Sequence, residues 1–148
     1  MEIRSLPPQE VDIEAIYTFC KQLIEDYETD PIPMEKVLTW CHRKIQQNLS
    51  EYRVFWINGQ KVGYLRCCPP EDGVMELDDF YILEDFRGKG IGSAVLRQQV
   101  EQADQKSLDL RLYVFKKNEA AVRLYQRFGF HIVEEAGNSR WIMLRPHA

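Results

Sequence analysis

The chain has 148 residues, 45% hydrophobic and 28% charged, which fits one domain spanning residues 1–148 and argues against disorder. Its net charge of −4 argues against a general nucleic-acid binder, because neutralising phosphates needs a basic surface. The opening MEIRSLPPQE has no apolar signal-peptide core, and no apolar run reaches bilayer length, so a cytoplasmic protein with no membrane partner is expected.

In chain order, Met1–Leu6 reads as a short first strand that stops at Pro7-Pro8. Ile13, Ile16, Cys20, Leu23 and Tyr27 recur at helical spacing, predicting a helix over Val11–Tyr27. Pro31 and Pro33 interrupt the chain. A second helix follows over Met34–Asn48, with Met34, Val37, Leu38, Cys41 and Ile45 on one stripe. Tyr52–Ile57 is aromatic and β-branched, hence a strand. Asn58-Gly59 predicts a tight hairpin into a strand over Gln60–Cys68. After the Pro69-Pro70 and Asp72-Gly73 loop, Val74–Leu83 reads as a longer strand with Asp78-Asp79 in its middle.

A helix is predicted over Ile91–Ala103, then an alternating strand over Leu108–Phe115. Asn118 is placed to cap a helix carrying Ala121, Leu124, Tyr125 and Phe128, with Gly129 just past its end. His131–Glu135 and Arg140–Leu144 are the last two strands. This order predicts an α/β (α+β) fold with helices on both faces of a mixed sheet. Val74–Phe115 forms a strand–helix–strand unit, which predicts a right-handed crossover between parallel strands.

The cysteines Cys20, Cys41, Cys67 and Cys68 have no Cys-x-x-Cys spacing and no histidine at zinc-finger distance, so no metal is expected and the thiols read as reduced. The chemistry-bearing stretch is Glu76–Gly92. Arg87-Gly88-Lys89-Gly90-Ile91-Gly92 places glycines at every second position before a helix. Backbone amides, the helix N-terminus and two cations then converge on an anion such as a pyrophosphate. The P-loop pattern is absent. Ser93 stands where the dinucleotide fingerprint wants its third glycine.

This loop resembles the acetyl-coenzyme A pyrophosphate loop of the GNAT family of N-acetyltransferases, Arg/Gln-x-x-Gly-x-Gly/Ala, with Arg87, Gly90 and Gly92 at its fixed positions. Downstream, Leu112-Tyr113-Val114, Asn118, Ala121, Leu124-Tyr125 and Gly129-Phe130 resemble the second half of the family's core. The likeness runs from about Val74 to Phe130. The first 70 residues match only in element order.

The resemblance implies a three-layer α/β/α fold whose mostly antiparallel sheet contains one splayed parallel pair that binds acetyl-coenzyme A. It implies transfer of an acetyl group to a primary amine by direct attack. The acceptor would be a small cationic amine or an amino group of a protein or peptide, and acidic residues around the site tilt the expectation toward a cation. Cofactor contacts carried over are Ile82, Leu83, Arg87, Gly88, Lys89, Gly90, Gly92, Ser93, Asn118, Ala121 and Tyr125, with Ile82 acting through its main chain. Tyr125 is the expected proton donor to the leaving thiolate.

The base candidates are Asp78, Glu76 and Asp79, with a water relay as the alternative. In polyamine acetyltransferases a glutamate stands where this chain has Asp78. Strict alternation puts Glu76 and Asp78 on one face and Asp79 on the other, and a bulge would change that parity. Trp40, Tyr52, Trp56 and Trp141 are candidates for an acceptor pocket or for the core. His42, His131 and His147 have no motif support. Homodimers are common in the family, and the final strands offer an interface for one. The alternative function is a non-catalytic acyl-coenzyme A sensor or interaction module on the same fold.

Overall fold

The computed structural model describes residues 2–148. Its strands are β1 (Arg4–Leu6), β2 (Tyr52–Ile57), β3 (Gln60–Cys67), β4 (Val74–Ile82), β5 (Asp109–Phe115), β6 (His131–Ala136) and β7 (Arg140–Arg145). Its helices are α1 (Val11–Tyr27), α2 (Met34–Gln47), α3 (Ile91–Gln105) and α4 (Glu119–Arg127). Met1, the start of the expected first strand, lies outside the described residues. Two short 3₁₀ turns, Leu49–Glu51 and Glu84–Phe86, close the helix and strand that precede them.

The strands form one seven-stranded sheet in the order β1-β2-β3-β4-β5-β7-β6. Every neighbouring pair is antiparallel except β4 and β5. The β2–β3 hairpin turns at Asn58 and Gly59 with φ of 50° and 76°, the paired positive angles that its two-residue loop demands.

A core lies on each face. Under α3 and α4, Val95 and Leu96 share one buried core with Leu65, Leu77, Leu110, Leu112, Phe130 and Met143. Under α1 and α2, Ile16 and Ile45 pack on Tyr52, Val54, Tyr64 and Tyr81. The second core is rich in tyrosine. Burying those rings is favourable only where each hydroxyl finds a partner.

One irregularity matters more than the rest. Tyr64 pairs with Tyr81 and Arg66 with Asp78, so β4 carries one more residue than β3 between these pairs. The surplus is taken up at Asp79, whose φ is +49°. A left-handed angle costs an L-residue about 1–2 kcal/mol, and Asp tolerates it best when hydrogen-bonded locally. Here the Asp79 amide donates to Asp78 Oδ1 at 2.9 Å. Past the bulge, Gly63 of β3 pairs with Ile82, and a Cβ there would sit 2.4 Å from the Tyr81 carbonyl oxygen, so no larger residue fits that close approach.

Candidate active site

β4 and β5 pair only at Val74–Asp109, Met75–Leu110 and Glu76–Arg111. Beyond them the strands part, β4 continuing along β3 and β5 along β7. The parting starts just before the bulge, which bends and twists its strand. A cavity of about 830 Å³ occupies the split and reaches both faces of the sheet. Its walls come from β4 and β5 in the middle, α3 and α4 on one face, and α1 and α2 on the other.

On the α3 side lies the glycine loop. Gly88 and Gly90 have φ of 73° and 79°, and a Cβ at either would meet nothing within 4 Å. The loop is therefore an open concave surface, not a packed turn. Gly90 precedes the first turn of α3 with no side-chain cap, which leaves the early amides of that 15-residue helix for an external acceptor. Gly92 lies against Ile82, where a Cβ would stand 3.6 Å from the Ile82 side chain. Arg87 turns back so that its Nε donates to the Ile82 carbonyl at 2.8 Å. Lys89 sits over the Phe86 ring, 5.7 Å from its centre. An open cradle of glycines with unsatisfied amides and two cations fits a pyrophosphate.

The middle of the cavity offers main-chain donors. Amides along a strand alternate between its two edges. Leu83 donates to the Val62 carbonyl on β3 at 2.9 Å, so the Ile82 amide points the other way, into the split. Across it, Asn118 caps α4 loosely, its Oδ1 accepting from the Ala121 amide at 3.4 Å. Asn118, Ala121 and Tyr125 all line the cavity. Tyr125 packs edge-on against Phe130, 5.6 Å between ring centres. Burial, and after it the Asp78 charge, push the Tyr125 phenol up, so it keeps its proton at neutral pH.

On the α1–α2 side the bulge gathers a polar cluster. Asp78 and Asp79 both face this side, because the positive φ at Asp79 reverses its parity. Lys44 on α2 reaches Asp78 at 3.1 Å and Asp79 at 3.2 Å. Arg66 on β3 reaches Asp78 at 3.4 Å and Glu51 at 3.1 Å. Asp79 is only 7% exposed. It accepts hydrogen bonds from the Tyr52 hydroxyl, from Cys20 Sγ at 3.4 Å and from the Tyr81 hydroxyl at 3.4 Å.

Burial, then the Asp78 charge, push the Asp79 carboxyl above the ordinary carboxylate value, against the pull of Lys44 and Tyr52. Burial alone would lower the Lys44 ammonium. The Asp79 and Asp78 charges outweigh it and raise that group, so Lys44 stays charged.

Of the residues singled out from sequence, Asp78, Asp79, Ile82, Arg87, Asn118, Ala121 and Tyr125 line one cavity. Leu83, Gly88, Lys89, Gly90, Gly92 and Ser93 continue from it along the loop and the first turn of α3. Glu76 is elsewhere. It sits where β4 and β5 still pair, bound to Arg111 at 3.0 Å and outside the cavity lining. Trp40 lines the cavity, and Tyr52 serves core and cluster together. Trp56 and Trp141 lie against Lys61 and Lys116.

Lys44, Arg66, Cys20 and Tyr81 were missed. Lys44 follows Trp40 and Cys41 at helical spacing, a weak hint that it borders a buried stripe. Nothing local marks the others. Among the described residues no group of three or more His, Cys, Asp or Glu could hold a metal ion, and no helix is long and apolar enough to cross a membrane.

A split parallel pair, a glycine cradle before a helix and a capped helix across the gap define an acyl-coenzyme A-binding type of site. The family model of the acetyltransferase (GNAT) family matches residues 13–130, and the chain belongs to that family. An uncharacterised N-acetyltransferase of Methanocaldococcus jannaschii is 32% identical over 81 residues, 50% of this chain and 36% of the relative. The spermine/spermidine N(1)-acetyltransferase of Bacillus subtilis is 39% identical over 62 residues, 40% of this chain and 41% of the relative. The chain thus spans about two fifths of the length of these curated relatives. Among solved structures, the PaiA N-acetyltransferase of Thermoplasma acidophilum in complex with coenzyme A shares the fold, with a TM-score of 0.76 at 17% identity, covering 99% of this chain and 100% of that one.

Proposed function

We propose that this protein is an N-acetyltransferase that moves an acetyl group from acetyl-coenzyme A to a primary amine. The observation that carries the reading is the split between β4 and β5, which joins the glycine cradle on one face to the acid–lysine cluster on the other. Bound there, acetyl-coenzyme A would supply the activated acyl group as a thioester.

The residues divide the work by position. Amides around Gly88, Gly90, Gly92 and Ser93 hold the pyrophosphate, with Arg87 and Lys89 adding charge. Arg87 also fixes the Ile82 carbonyl, which keeps the Ile82 amide aimed into the split as a donor to the acyl oxygen. Asn118 and Ala121 border the path of the pantetheine arm. The acceptor amine approaches from the α1–α2 side.

An amine attacks only when neutral, so the site must take its proton. Asp78 Oδ2 is already engaged by Lys44 and Arg66. Asp79 is buried with a raised proton affinity, which suits it better. The Asp78–Asp79 pair acts as the proton-accepting unit, with Asp79 the member that retains the proton. Tyr125, kept protonated, donates to the departing thiolate.

The substrate named for the Bacillus subtilis relative does not carry over by itself, because the match covers 40% of this chain. The reading is tested by following thiol release from acetyl-coenzyme A in the presence of primary amines, with Tyr125→Phe in parallel. The expected result is amine-dependent release, slowed about tenfold or more in Tyr125→Phe with acetyl-coenzyme A affinity unchanged. Equal turnover in the variant would remove Tyr125 as the acid. A thermal shift with ATP or NAD but none with acetyl-coenzyme A would overturn the whole reading.

A further inference from the structure

We propose that the acceptor is a small monoamine carrying an apolar, preferably aromatic, body, and not a polyamine. The inference rests on the acetyl-transfer reading and concerns the α1–α2 half of the same cavity.

Charge is the first argument. Asp78, Asp79 and Glu51 form one contact network with Lys44 and Arg66. Three carboxylates against two cations leave one negative charge. That surplus matches one ammonium. A second or third positive charge on the acceptor would find no free carboxylate inside, because each Asp oxygen near the split already accepts from a protein donor. Asp78 Oδ2 takes Lys44 and Arg66, and its Oδ1 takes the Asp79 amide. Asp79 takes Tyr52 on one oxygen and Cys20 and Tyr81 on the other. Farther out, the lining carries Asp26 and Glu28 together with Lys36 and Arg140, two charges of each sign.

The walls are the second argument. Beyond the cluster the chamber is lined by Phe19, Leu23, Tyr27, Trp40, Tyr113 and Phe115. Trp40 is 59% exposed and Tyr113 42%, which leaves two large rings with open surface at a concave site. Aromatic rings arranged so take up an apolar body and exclude water from it. The Tyr27 and Phe115 rings approach to 6.3 Å and link α1 to β5 across the chamber.

Size is the third. The α1–α2 loop is fastened to the β6–β7 hairpin by Asp30, whose Oδ2 accepts from the Asn138 amide at 3.0 Å. A Cβ at Gly137 would come within 3.0 Å of the same oxygen. The clasp holds together the segments that carry the lining residues Ile32 and Arg140, and the cavity as a whole, about 830 Å³, is of small-molecule size.

The test compares 2-phenylethylamine with spermidine as acceptors for the purified protein and acetyl-coenzyme A. The expected kcat/KM is at least about tenfold higher for 2-phenylethylamine. Trp40→Ala should raise KM for 2-phenylethylamine several-fold with little change in kcat, and leave the thermal shift by acetyl-coenzyme A intact. Equal or better use of spermidine overturns the proposal, as does a Trp40→Ala variant with unchanged KM.

A second readout stands apart from turnover. 2-Phenylethylamine should change tryptophan fluorescence in the wild type and not in Trp40→Ala, with or without acetyl-coenzyme A. If acetyl-coenzyme A does not bind but this change is seen, the acetyl-transfer reading fails and the apolar amine chamber stands. If acetyl-coenzyme A binds and 2-phenylethylamine leaves the fluorescence unchanged, the chamber proposal fails alone.

Discussion

The two halves of the cavity are built in opposite ways. The α3 half is local. Arg87 through Ser93 lie together in the chain, and beyond its own glycine angles and the first turn of α3 the loop leans on Ile82, only a few residues upstream. The α1–α2 half is assembled from afar. Cys20 meets Asp79 across 59 positions and Lys44 meets Asp78 across 34. A locally built half tolerates change around it but not within it. A half built from distant parts responds to changes in any contributing element.

Gly90→Glu tests the local half and should have the largest effect. Its Cβ would meet nothing within 4 Å, so the fold should persist at a backbone cost of about 1–2 kcal/mol. The added carboxylate opposes an anion in the cradle, and acetyl-coenzyme A affinity should fall at least about 100-fold, about 2.8 kcal/mol. Gly90→Ala carries the same backbone strain without charge and should retain most of the affinity. Titration calorimetry on both separates the two effects. Similar losses in both would mean that the loop acts through its conformation, not as an anion site.

Asp79→Asn tests the distant half and should act on turnover more than on stability. Turnover should fall about 10²-fold, the lower range for loss of a general base. Breaking a buried ion pair outright costs about 3–5 kcal/mol, but Lys44 retains Asp78 here, so the stability loss should stay below that range. The pH dependence has a definite sign. The native Asp79 carboxyl lies above its unfolded value, so the fold favours its protonated form. That contribution is present below the unfolded value and is lost as pH rises through the native one. The melting temperature of wild type relative to Asp79→Asn should therefore decline as pH rises through that window. A difference that does not vary with pH would contradict the raised proton affinity.

The same contrast explains what could be read in advance. Every strand and helix among the described residues was legible, from helical or alternating periodicity, from β-forming composition, or from bounding Pro, Gly and Asn. The anion cradle was legible because glycine spacing and a helix start are neighbours in the chain. The acid cluster was only half legible. Asp78 and Asp79 stood out as carboxylates in a strand, but strict alternation would have sent them to opposite faces. The bulge that unites them is a register shift against β3, between the Tyr64–Tyr81 and Arg66–Asp78 pairs, a relation no local pattern encodes. Glu76 shared the pattern of a candidate base, and its pairing with Arg111 became visible only with β5 in place. Arg66 was invisible for the same reason and Lys44 nearly so, and with them the partial neutralisation that bears on the choice of acceptor.

We propose that the split between β4 and β5 holds the acyl-coenzyme A arm against the Ile82 main chain. Amide hydrogen exchange with and without acetyl-coenzyme A tests it most directly, because adjacent residues serve as site and control. The Leu83 amide is bonded to Val62 and should be protected in both states. The Ile82 amide faces the split and should exchange fast in the free protein and become protected on binding. An Ile82 amide whose exchange does not change at saturating acetyl-coenzyme A, with Leu83 protected throughout, would contradict the account.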